Sequence, residues 1–129
     1  MIMKRITVIS LVLILITLLS GCAGFQHGYN KSRAINQYLK VNENSENFGY
    51  QRVQQIMGFR KYAVKYFIEE KGLPNFIYEY EKDGREGFVF YYIQEGKAYD
   101  FLEQNWRPTS AKLIDIRQFS DFDKERFGI

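Results

Sequence analysis

Six consecutive residues, Phe88-Val89-Phe90-Tyr91-Tyr92-Ile93, are apolar or aromatic with no polar alternation. Successive side chains of a strand point to opposite faces, so such a run is buried only at the centre of a sheet with cover on both sides. The flanking segments fit that demand. Asn75–Lys82 (NFIYEYEK) is rich in β-formers and ends at Asp83-Gly84, a strong two-residue hairpin signal. Glu86–Gln94 carries the apolar run, Glu95-Gly96 turns the chain, and in Lys97–Glu103 Ala98, Asp100 and Leu102 alternate with Tyr99 and Phe101. After a loop with Trp106 and Pro108, Ala111–Phe119 (AKLIDIRQF) reads as a fourth strand. Its Ile114 and Ile116 are expected on one face, with Leu113, Asp115 and Arg117 on the other.

Ahead of the strands lies a helical pattern from about Tyr50 to Lys71. Val53, Ile56, Met57, Ala63, Val64, Phe67 and Ile68 recur at helical spacing and share one face. Arg52, Arg60, Lys61, Lys65, Glu69 and Glu70 fall largely on the others. Gly58 weakens the middle by roughly 1 kcal/mol relative to Ala and marks a kink or a close helix–sheet contact. The stop is explicit: Lys71 suits the negative end of the dipole, Gly72 can turn left-handed, and Pro74 cannot continue the helix. A shorter helix is expected over Lys31–Val41, where Ile35, Tyr38 and Leu39 are helically spaced, before the polar break Asn42–Asn47. Ser120 followed by Asp123 is a capping-box-like pattern that starts a short terminal helix. The expected fold class is α+β. One long helix, or a helical pair, packs on one face of a three- to four-stranded antiparallel β-meander.

Of the 129 residues one is Cys and one is His. One Cys forms no internal disulfide, and the two together build no four-ligand zinc site. The 11 Phe, 10 Tyr and single Trp exclude a chain too polar to fold. Met1–Cys22 is different material. Lys4 and Arg5 precede Ile6–Leu19, 14 apolar or small hydroxyl residues, and Ser20-Gly21 supplies small residues before Cys22. That is the layout of a secretory signal peptide, short of the about 20 residues a spanning helix needs. From Cys22 onward 108 residues remain, with 16 bases against 15 acids, so most of the formal +3 belongs to the leader. The expected organisation is a signal peptide at 1–21, a polar tether at 22–30 (His27 within it) and a single α+β domain at 31–129.

The junction Leu19-Ser20-Gly21-Cys22 resembles the bacterial lipobox: Leu, a small residue, Gly, then Cys. The resemblance implies cleavage before Cys22, a diacylglycerol on its sulfur and an acyl chain on its new amine. Such a protein is anchored to the cell envelope. Ala23 after the Cys implies the outer membrane, facing the periplasm, in a Gram-negative cell, and otherwise the anchor is on the outer face of the plasma membrane. A helix ending Val64-x-x-x-Ile68-x-x-x-Gly72-x-Pro74 and running into aromatic antiparallel strands, behind a lipobox, resembles the SmpA/OmlA-type small lipoproteins over about Tyr50–Leu102. That similarity implies a helical pair on a three-stranded sheet and a non-enzymatic accessory role in envelope assembly. The short Gly-Met/Leu-Thr opening usual in that group is missing, and the fourth strand and C-terminal extension are additional.

Catalytic groups are sparse. Of the carboxylate pairs Glu69/Glu70, Glu79/Glu81 and Asp121/Asp123, only Glu79/Glu81 is expected to share a strand face, opposite Tyr78 and Tyr80. A solvated strand face accounts for it. Arg60-Lys61-Tyr62-x-x-Lys65-Tyr66 mixes bases with aromatics, but a near-neutral exported domain is a poor nucleic-acid binder. No phosphate loop, metal-ligand cluster or nucleophile elbow occurs, so neither a catalytic residue, a cofactor nor a metal is expected. The aromatic surplus of Tyr78, Tyr80, Tyr91, Tyr92, Tyr99 and Phe101 is the candidate interaction surface for another envelope protein; cover by a second helix and the C-terminal segment is the alternative. The functional expectation is a lipid-anchored interaction or scaffold module; the alternative is a small periplasmic module binding a peptide, glycan or apolar ligand between helix and sheet.

Overall fold

Five antiparallel strands run in sequence order across one sheet: β1 Tyr38–Lys40, β2 Phe76–Lys82, β3 Arg85–Tyr92, β4 Lys97–Gln104 and β5 Arg107–Gln118. The computed structural model describes residues 7–14, 28–59, 63–104 and 107–129. The chain divides into two compact units, residues 1–33 and 34–129. In the first, residues 7–14 are helical and exposed, and a second helical stretch covers 28–34 across the boundary. The second unit holds the sheet and three further helices, α1 Phe48–Phe59, α2 Ala63–Lys71 and α3 Asp121–Phe127.

The β2–β3 hairpin closes through Asp83 (φ 52°) and Gly84 (φ 75°), with Lys82 opposite Arg85. Two successive positive φ angles make a type I′ turn, whose twist matches that of the strands. β3 is the central strand, and every residue from Gly87 to Tyr92 is buried. On one face Phe88, Phe90 and Tyr92 join Ile77, Tyr99 and Phe101 beneath Val53 and Ile56 of α1 and Val64, Phe67 and Ile68 of α2. On the other, Val89, Tyr91 and Ala98 pack with Phe119, Tyr38, Phe76 and Phe127. Phe127 of α3 stacks on Phe76 with ring centroids 4.3 Å apart and meets Tyr91 edge-on at 4.9 Å.

Several expectations are corrected. The α+β class holds, but the sheet has five strands, not three or four, and helices cover both faces. The reason is α3: Ser120 accepts a hydrogen bond from Asp123 N–H, Asp123 accepts from Ser120 N–H, and Phe127 carries the helix across the second face. In place of one helix over Tyr50–Lys71 there are two, α1 and α2; residues 60–62 between them lie outside the described residues. Gly58 is exposed, with open space where a side chain would stand, so no close helix–sheet contact occurs there.

The helix expected over Lys31–Val41 also ends early. Asn36 is left-handed (φ 60°), and Tyr38, Leu39 and Lys40 pair with Tyr78, Ile77 and Phe76 as an edge strand. Three apolar residues at helical spacing are too few to outweigh that ladder. β5 starts at Arg107, earlier than expected, and Asp100 pairs with Asp115 while Phe101 pairs with Leu113. Ile114 is therefore an extra residue in a β-bulge. The bulge breaks the expected alternation: Leu113 packs on the helix-covered core, whereas Arg117 lies on the face of Tyr91 and Asp123.

Candidate functional site

Leu19, Ser20, Gly21 and Cys22, the residues of the lipidation motif, lie outside the described residues, as do His27, Arg60, Lys61, Tyr62 and Trp106. No helix among the described residues is long and apolar enough to cross a membrane.

Four of the six aromatics expected at an interaction surface belong to the core. Tyr91 and Phe101 are each 1% exposed, and Tyr92 and Tyr99 are each 7% exposed. Tyr92, Tyr99 and Phe101 face α2, where the Phe67 ring lies 5.0 Å from Tyr99 and 5.1 Å from Phe101. Tyr91 faces the other way, under α3. The alternation of one central hairpin thus distributes the aromatics over two cores, and cover by helix and C-terminal segment accounts for these four. Tyr78 and Tyr80 remain half-buried.

The phenols are held at the margins of those cores by polar groups. Tyr92 O–H donates to Gly72 C=O at 2.9 Å, and Tyr99 O–H donates to Glu95 at 2.6 Å. Lys71, the last residue of α2, pairs with Glu95 and stands 4.6 Å above the Tyr99 ring. Hydrogen bonds from Lys71 and Tyr99 hold the Glu95 carboxyl below the usual range. On the second face Tyr38 O–H and Arg117 Nη1 both donate to Asp123, at 3.2 and 2.6 Å. Burial alone would raise the Asp123 pKa, but the Arg117 and Ser120 hydrogen bonds outweigh it and lower it. Tyr80 O–H donates to Asp100 at 2.6 Å. There burial dominates and, with Asp115 close by, raises the Asp100 pKa despite that bond. Burial likewise raises the Tyr91 and Tyr92 phenols.

Glu79 and Glu81 do not form the expected solvated pair. Glu79 is 2% exposed and Arg52 1%, and Arg52 clasps the carboxylate with Nε–Oε2 at 2.9 Å and Nη2–Oε1 at 2.6 Å. Gln55 accepts from Arg52 Nη1 at 2.5 Å. Arg52 thus faces the sheet, although the helical pattern places it among the polar residues. A legible signal exists in its spacing: Arg52 stands four residues before buried Ile56, and Glu79 two residues after buried Ile77. Glu81 is exposed.

A groove opens between α1 and α2. It measures about 710 Å³ and has Tyr50, Met57, Ile68 and Leu73 in its wall with Lys65 and Glu69 beside them. That size lies within the roughly 300–1,000 Å³ typical of small-ligand sites. Lys65 lies 3.9 Å from Glu69 one helical turn on, and Tyr66 is 62% exposed. The groove is amphipathic, suited to apolar contact with a polar rim. Among the described residues no cluster of three or more His, Cys, Asp or Glu side chains could hold a metal ion. No protein family model, curated protein or solved structure matches this chain.

Proposed function

We propose that this chain is a lipid-anchored, non-enzymatic protein of a bacterial cell envelope, serving as an interaction or scaffold module accessory to envelope assembly. The observation that carries the reading is the run from Lys4-Arg5 through 14 apolar or small residues to Leu19-Ser20-Gly21-Cys22. Two or more acyl chains on Cys22 would anchor the domain stably, each buried methylene contributing about 0.8 kcal/mol. The outer membrane, facing the periplasm, is the proposed address in a Gram-negative cell.

The test compares wild type with Cys22→Ser in intact cells. Wild type should incorporate labelled palmitate and, after crosslinking, capture one defined envelope protein. The Cys22→Ser chain should lose the label and most of the capture. A wild-type chain that takes up no palmitate sinks the anchor; repeated crosslinking under several conditions without a defined product sinks the scaffold role.

The α1–α2 groove favours a second reading, a small module for a peptide, glycan or apolar ligand. An apolar fluorescent probe should bind the full chain and be displaced when Met57→Trp fills the groove. Equal probe binding by both chains would remove this reading.

A further inference from the structure

The sheet ends at β5, a 12-residue strand on which Ile114 and Ile116 are 48% and 51% exposed. A long edge carrying exposed apolar side chains is a template for a further strand. The orientation of its backbone groups follows from the ladder to β4. Phe119 N–H donates to Gly96 C=O at 3.0 Å, next to the Gln118–Lys97 pair. Antiparallel residues alternate between facing the partner strand and facing away. Asp115 and Arg117 therefore turn their N–H and C=O towards β4, while Ile116 and Gln118 turn theirs outward.

We propose that a second copy of this chain adds to the β5 edge, antiparallel, about a two-fold axis through Ile116. The two Ile116 residues then exchange both outward hydrogen bonds, and their exposed side chains meet on one face. Asp115 of each copy falls opposite Arg117 of the other, giving two reciprocal ion pairs in a closely spaced, non-hydrogen-bonded position. This charge complementarity is what selects a second copy as the occupant. Within one chain Asp115 is paired across the ladder with Asp100, a like charge on the same face. A cation arriving from a second copy offsets that repulsion. Arg117 already donates to Asp123, to Gln118 C=O at 3.3 Å and to the Tyr91 oxygen at 3.4 Å, but its side chain is 38% exposed and a guanidinium has five N–H donors. The bulge at Ile114 limits the matched stretch to the C-terminal part of β5, so the axis cannot slide towards Pro108.

The full-length chain is tested in a Cys22→Ser background, so that an introduced cysteine is the only thiol. Hydrogen-bonded partners across an antiparallel ladder have Cα atoms about 5.5 Å apart, within disulfide range. Mild oxidation of the purified chain should give a covalent dimer from Ile116→Cys. Gln118→Cys should give roughly ten-fold less, its two copies lying about 13 Å apart along the strands. Asp115→Lys, added to Ile116→Cys, should cut the yield at least several-fold by placing a cation opposite Arg117. Absence of the Ile116→Cys dimer in a chain with unchanged thermal unfolding would overturn the proposal, as would equal yields at positions 116 and 118. An undiminished yield with Asp115→Lys would overturn the charge register. The result is independent of whether Cys22 is acylated.

Discussion

Arg52 and Glu79 are the least expected residues of the second unit, two opposite charges enclosed between α1 and β2. A buried ion pair adds little net stability, because desolvation offsets most of the attraction; breaking it is costly because one charge is left uncompensated. Glu79→Ala is therefore expected to destabilise the fold by about 3–5 kcal/mol, whereas Arg52→Met with Glu79→Leu recovers most of that loss. Urea unfolding of the two variants checks it; equal losses would show that packing, not charge, is at stake. Asp123 gives a second residue-scale expectation. Its folded pKa lies below the ordinary 3.8, so its contribution is complete above that pH and is lost as pH falls through the folded value. Asp123→Asn should lower the melting temperature at pH 7 and shrink the difference in melting temperature between pH 7 and pH 3. An unchanged acid dependence would contradict the role given to Arg117 and Ser120. These pairings were partly hidden in sequence because a helical pattern shows which residues share a face but not which charge meets which across 27 residues.

Elements were legible where local chemistry is strong. Asp83-Gly84, Lys71-Gly72-x-Pro74 and Ser120-x-x-Asp123 each mark a boundary through backbone geometry or capping, and the structure uses all three. β1 was hidden because its pairing with β2 is non-local, and the bulge at Ile114 because alternation alone cannot reveal an extra residue. Gly87 supplies a test of the sheet: a methyl group there would fall 2.1 Å from the Tyr80 ring, which lies across the glycine. Gly87→Ala should displace Tyr80, break its 2.6 Å bond to Asp100 and cost about 1–3 kcal/mol in thermal or denaturant unfolding. Ser120→Ala should weaken α3 by about 1 kcal/mol and raise amide exchange at its first turn. Exchange unchanged in α3 would mean that Phe127 alone holds the helix.

At the scale of the whole molecule, the aromatic excess that suggested a docking surface is chiefly a means of building two cores in a small domain. β3 contributes to both faces, α1 and α2 close one, and α3 closes the other. Among the described residues, the groove between α1 and α2 and the β5 edge are open to a ligand or a second chain. The proposed function rests on Cys22 in the other unit, where Leu19-Ser20-Gly21 and the leader before them resemble a lipobox. Intact-protein and N-terminal peptide mass spectrometry of the chain extracted from bacterial membranes tests that account most directly. It should begin at Cys22 and carry the mass of a diacylglycerol on that residue; an unmodified Cys22, or a chain that still retains residues 1–21, would contradict it.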